Sequence, residues 1–307
     1  MALRLASHID LPAHAGPGGF DHAAIHERTR RLYVAHTAND AVDVIDCARG
    51  AFMHSIEGLP GVAGVLVDEA RDLAFTSSRG EDTVGAFRPG TEDKLTKVQV
   101  GVRPNGLAFD ARRGTLLAAN VGDPAIPDSF TLSVVDADAM RMRGAIAVPG
   151  RTRWAIYDRG LDRFFINIAT PPRIIVVAGD APSRIADTYE VPAAGPHGLE
   201  LDVDSGRLFC ACDAGQLVAL DAANGRLLGM VALSGAPDVI FLDPVLGRLY
   251  VAVGDPGVID VIDVRAMQRL ETVPTESGAH TTALDGGRHW LYVFLPETHR
   301  AAVFTDE

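Results

Sequence analysis

His197, Asp238 and His280, together with Asp21 and His22, are residue types that hold a divalent metal ion. Two imidazoles with one or two carboxylates and open positions suit Fe, Mn or Zn, and the carboxylates also admit Mg or Ca. Arg153 offers a guanidinium able to hold a substrate carboxylate through two parallel hydrogen bonds. Asn105 offers an amide that donates to a developing oxyanion or binds a metal weakly. A metal held there polarises a carbonyl and lowers the pKa of its bound water, the chemistry of a lactone or ester hydrolase or of a lyase. Without a metal, His197 or His280 serves as general base, while Arg153 and Asn105 steady an enolate or oxyanion.

These residues lie far apart in the chain, so a repeating architecture must bring them together. Asp21, Ala63, Asn105, Arg153, His197, Asp238 and His280 occupy equivalent positions of seven units, at spacings of 42, 42, 48, 44, 41 and 42 residues. Each unit has a Gly/Pro start, a short apolar strand ending in Asp, a turn, a second strand, a loop and a third strand ending in Asp. In the first unit His26 replaces the first strand-ending Asp, and the long interval holds an extra loop after Asn120. A period near 42 with several short strands per unit is what a propeller blade requires. The expected fold is all-β, a seven-bladed β-propeller of four-stranded blades, with repeats starting near residues 20, 62, 104, 152, 196, 237 and 279.

The seventh unit runs into AAVFTDE after its third strand, and LRLASHIDLP ahead of the first unit has the look of a fourth. The N-terminal strand is therefore expected to join the C-terminal blade and close the ring, which removes an exposed edge. Length alone, at about 150 residues per domain, suggests two domains. The repeat replaces that with a single propeller domain over residues 1–307.

The segment 32–46, LYVAHTANDAVDVID, resembles the YVTN repeat of bacterial surface-layer-type β-propellers. Segment 249–263, LYVAVGDPGVIDVID, and LLAANVGDP with LSVVD in the third unit are weaker copies. The resemblance implies the propeller fold. It leaves function among related lactonases, lyases, redox enzymes and pure binding scaffolds.

In a propeller the first strand of each blade lines the central channel, so the seven equivalent residues should ring one mouth. Loops between second and third strands open at the same end and carry His36, Arg79, Asp213 and His299 among other polar residues. Turn formation explains most of these, and His36 or His299 is a further candidate base. Cys210 and Cys212 alternate on a strand and read as small buried apolar residues, not as a metal pair. The recurring strand-end aspartates read as turn caps.

The remaining features mostly exclude functions. Lys+Arg 28 against Asp+Glu 40 gives a net charge of −12, which disfavours nucleic acid and anionic membrane surfaces as partners. No phosphate-binding glycine loop and no G-x-S-x-G elbow occur, so no nucleotide cofactor is expected. C-x-x-C-H is absent, so no c-type haem is expected. No apolar run reaches the ~20 residues of a membrane span. The N-terminus lacks the continuous apolar stretch of a signal peptide, so the expected compartment is the cytoplasm, or the periplasm for a chain shortened by processing. The expected partner is a small anionic molecule. The alternative is a non-catalytic scaffold with a protein partner on the propeller face.

Overall fold

In strand β3 (Arg31–His36), Leu32 and Val34 pack towards one neighbouring blade, whereas Tyr33 and Ala35 pack towards the other. Successive side chains of a strand point to opposite faces, so a sheet apolar on both faces must be covered on both. The computed structural model, which describes residues 3–306, solves this by arranging seven such sheets in a ring. Met1, Ala2 and Glu307, the outermost residues of the expected domain, lie outside the described residues.

Blade one comprises β2 (Ala23–His26), β3, β4 (Ala41–Asp46) and β5 (Ala51–Ile56). Blade two comprises β6 (Val62–Asp68), β7 (Leu73–Ser78), β8 (Thr83–Arg88) and β9 (Thr91–Gln99). Blade three is β10 (Pro104–Asp110), β11 (Thr115–Asn120), β12 (Thr131–Asp136) and β13 (Arg141–Ala147). Blade four is β14 (Thr152–Asp158), β15 (Arg163–Ile168), β16 (Arg173–Ala178) and β17 (Asp187–Glu190). Blade five is β18 (Pro196–Asp202), β19 (Arg207–Cys212), β20 (Gln216–Asp221) and β21 (Leu227–Ala232). Blade six is β22 (Pro237–Asp243), β23 (Arg248–Val253), β24 (Val258–Asp263) and β25 (Gln268–Pro274).

Blade seven contains β26 (Thr282–Asp285), β27 (Trp290–Leu295) and β28 (Arg300–Asp306), and its outer strand is β1 (Leu3–Asp10). The expected closure is therefore present: β1 runs antiparallel to β28, from Leu3 opposite Asp306 to Asp10 opposite Arg300. The innermost strand of blade seven touches those of blades six and one, so the ring is continuous. The only helical element among the described residues is the 3₁₀ turn Thr37–Asn39.

The core is distributed around the ring. Seven apolar clusters fill the seven junctions between neighbouring blades. Each fully buried aliphatic or aromatic side chain there contributes about 1.5–3 kcal/mol. Cys210 and Cys212 lie buried in the junction of blades four and five, as expected of small apolar residues. The strand-end aspartates cap turns: Asp46 Oδ1 accepts the N–H groups of Ala48 and Arg49, and Asp263 Oδ1 those of Arg265 and Ala266.

Candidate functional site

Two local devices set the channel mouth. The innermost strands of blades two to six each break register with the second strand at the same place, between Pro104 and Leu107 in blade three and between Pro196 and Leu199 in blade five. A β-bulge re-aims a side chain, and here it falls on Ala63, Asn105, Arg153, His197 and Asp238. The next residue is Gly64, Gly106 or Gly198 in three blades. A Cβ on Gly106 would lie 2.4 Å from the Arg153 carbonyl oxygen, and one on Gly198 would lie 2.3 Å from that of Asp238. Glycine thus lets adjacent inner strands close up and fixes the neighbouring mouth residue.

Blades one and four place His22 and Trp154 at that same step. Their rings meet across the channel with centroids 4.0 Å apart and planes inclined by 40°. His22 is buried, and burial pushes its pKa down against the raising effect of Asp21 and Asp238. The imidazole is therefore neutral at pH 7, and the pair forms a partition below the mouth.

Above it the polar residues form two half-rings. In one, the Asp21 carboxylate lies 3.1 Å from an Arg79 Nη2 that also donates to Asn105 Oδ1 at 2.7 Å. In the other, His197 Nδ1 lies 2.7 Å from Asp213 Oδ1, and its Nε2 lies 3.1 Å from Asp238 Oδ1. Burial opposes the imidazolium, but the Asp238 charge and hydrogen bonds to both carboxylates outweigh it, and the His197 pKa is pushed up to about 9. Burial likewise opposes ionisation of Asp238, yet the His197 charge and hydrogen bond hold its carboxyl well below the usual range. Arg153 Nη1 sits 3.1 Å from His197 Nε2 and its Nη2 3.5 Å from Asp213, so the guanidinium and the imidazole share the Asp213 carboxylate. His280 Nδ1 lies 2.7 Å from the Gly278 carbonyl oxygen, which can only accept, so Nδ1 carries the proton and a neutral ring has its lone pair on Nε2.

The residues expected at the mouth are thus all there, and Asp21 and His22 both contribute, one above the partition and one within it. Asp21, Asn105, Arg153, His197 and Asp238 are tied into ion pairs and hydrogen bonds. Among the described residues no group of three or more His, Cys, Asp or Glu side chains is placed to share a metal ion. The other candidate bases lie apart from this network: His36 is buried against Asp43 at 2.7 Å, and His299 meets His14 edge to face with centroids 4.4 Å apart.

Arg103 and Arg151 are additional and escaped the sequence reading. They stand two residues before the mouth position, where other blades have Gly19, Gly61, Gly195, Ala236 and Gly278. The four glycines adopt φ of 64°, 58°, 70° and 79°, and Arg103 adopts 54° at the same step. An L-residue in that region costs roughly 1–2 kcal/mol. Burial and then repulsion from Arg153, Arg79 and Arg103 lower the Arg151 pKa, so four guanidinium groups share one field. Among the described residues neither the Arg103 nor the Arg151 guanidinium has a hydrogen-bond or ion-pair partner. The Nε atoms of Arg79 and Arg153 are buried without an acceptor.

Fold and mouth together define the class: a seven-bladed β-propeller with an arginine-rich channel mouth. The chain is 24% identical over 289 residues to the uncharacterised protein YncE of Salmonella typhimurium, covering 90% of this chain and 68% of that one. The match to YncE of Salmonella typhi has the same identity and coverage. No family model matches the chain. Among solved structures, a chain of a mitotic checkpoint complex superposes with a TM-score of 0.83 at 11% identity, over 98% of this chain and 91% of that one. A chain of Kuenenia stuttgartiensis hydrazine synthase superposes with a TM-score of 0.82 at 14% identity, over 96% of each. At such identities these likenesses concern the fold alone.

Proposed function

We propose that the channel mouth binds a small anionic molecule, a carboxylate or a phosphate-type oxyanion, through Arg103 and Arg151 with Arg79 and Arg153 behind them. The observation that carries this reading is Arg103, held in a left-handed conformation that the repeat elsewhere gives to glycine. A backbone cost retained to present a guanidinium with no partner is intelligible if a ligand supplies the partner. The net charge of −12 sharpens the point, because the four arginines form a local positive spot on an acidic molecule.

The same geometry supports proton-transfer chemistry on the bound anion, of the hydrolase or lyase kind. His197, protonated at neutral pH between Asp213 and Asp238, is placed as general acid, and His280 Nε2 as general base. The YVTN-type resemblance of 32–46 and 249–263 is consistent with a bacterial propeller of this sort and does not choose between binding and catalysis.

Calorimetric titration with succinate, citrate and inorganic phosphate tests the reading. At least one should bind, with affinity falling as salt rises. Arg103→Ala with Arg151→Ala should weaken it by about tenfold or more. No binding by any of the three, or full binding by the double variant, overturns it.

A further inference from the structure

Beneath the His22–Trp154 partition lies a cavity of about 350 Å³, walled by the inner strands of blades one to six. That volume falls within the roughly 300–1,000 Å³ of small-molecule sites. One step of its wall sets blade five apart. Three residues after the mouth position the blades carry Ala24, Leu66, Ala108, Ile156, Phe241 and Ala283, and blade five alone carries a charged residue, Glu200. Glu200 lines the lumen, and its carboxyl has only backbone partners, the N–H groups of Leu201, at 2.9 Å, and Leu242.

Among the described residues no lysine or arginine lines the cavity. The other ionisable groups along it are His22 at the ceiling, which burial keeps neutral, and Asp68 and Tyr157 towards the far end. The lumen therefore has carboxyl groups and no counter-charge. Burial pushes the Glu200 pKa up to about 7, the mark of a carboxylate short of a cation. At the far end the lumen meets Val203, which is 68% exposed, and the corresponding turns of blades four and six carry exposed Leu161 and Val245. Three consecutive blades thus offer apolar side chains at the face where the lumen opens.

We infer that this lumen is a second binding site, separate from the mouth, that takes a small apolar amine: its ammonium group pairs with Glu200 and its hydrocarbon body lies against Leu107, Ile156, Leu201 and Phe241. A cation pairs with the Glu200 carboxylate, whose partners are otherwise backbone groups, and an apolar body replaces water along the apolar part of the wall. The anion site lies on the other side of the Trp154 partition, so the two sites are independent.

Benzylamine, benzyl alcohol and benzoate, titrated at pH 8 with Trp154 emission as the readout, test this on the intact protein. Benzylamine should perturb the emission and bind about tenfold or more tightly than benzyl alcohol, with benzoate weakest. Glu200→Gln should erase the preference for the amine. Equal binding of amine and alcohol, tighter binding of benzoate, or no response to benzylamine overturns the proposal. These comparisons on the unsubstituted protein decide the matter even if Glu200→Gln does not fold.

Discussion

The Trp154 indole and the His22 imidazole meet across the channel at 4.0 Å between centroids, although they come from blades four and one. This contact divides the channel into a cationic mouth and an apolar lumen. Trp154→Ala should connect the two compartments and cost about 2–3 kcal/mol, below the full core value because the indole is only partly buried. Urea denaturation measures the cost. An unchanged stability would mean that the contact does not hold the inner strands of opposite blades.

Arg103 lends itself to a substitution with opposite effects on stability and binding. Arg103→Gly places at φ 54° the residue that the repeat uses there. Stability should rise by about 0.5–1 kcal/mol, reduced by the entropy glycine adds to the unfolded chain. Affinity for the mouth anion should fall by about tenfold. A destabilised Arg103→Gly variant with intact anion binding would remove the argument that a backbone cost is retained for the ligand.

How far the sequence discloses this molecule can be judged from particular residues. The blades are legible because every unit repeats the same apolar strands and Asp-capped turns, and Asp46 and Asp263 cap turns as that pattern requires. The mouth residues are legible because they share one position in the repeat. Arg79 and Asp213 are visible only as polar loop residues, since turn formation accounts equally well for them, and distances alone show that they complete the two half-rings. Arg103, Arg151 and Glu200 do leave a trace. Each departs from what the other blades put at that step, glycine or alanine for the arginines and an apolar residue for Glu200. The His22–Trp154 contact leaves none, because it depends on the width of the ring.

His197 should make stability depend on alkaline pH. Its pKa rises from 6.5 to about 9 on folding, so the folded state binds the proton more tightly. The stabilisation is complete below about pH 6.5 and is lost as pH rises through about 9. Asp213 is partly exposed, so water screens the pair and about 2 kcal/mol is a reasonable size. Unfolding free energies at pH 6 and pH 10 should differ by about that much more for the parent than for His197→Gln. Parallel pH profiles would show that no imidazolium sits between the two carboxylates.

Glu200 should also make stability fall with rising pH, but for the opposite reason, because folding disfavours its charged form. Its pKa rises from 4.5 to about 7 on folding, so the folded state favours the neutral acid. Between those values the unfolded chain releases its proton first, and stability falls as pH rises through the window. Above it the ionised, unpaired carboxylate costs about 2–3 kcal/mol, less whatever water in the lumen recovers. Glu200→Gln should therefore be more stable than the parent at pH 8 and nearly equal to it at pH 4. A variant destabilised equally at both pH values would place the importance of Glu200 in packing.

Closure by β1 predicts different outcomes for two residues of one strand. Ile9 is 3% exposed and packs in the junction of blades seven and one, whereas Leu5 is 54% exposed on the same strand. Ile9→Asp buries an unpaired carboxylate and loses the apolar contact, at a cost of more than about 3 kcal/mol. Leu5→Asp should stay within about 0.5 kcal/mol of the parent. Each blade relies on its neighbours for both faces, so detaching β1 exposes two junctions, and Ile9→Asp should lower a single cooperative melting transition of the whole ring. A biphasic melt, with blades one to six retaining the parent midpoint, would show that the β1–β28 pairing closes the ring without stabilising it.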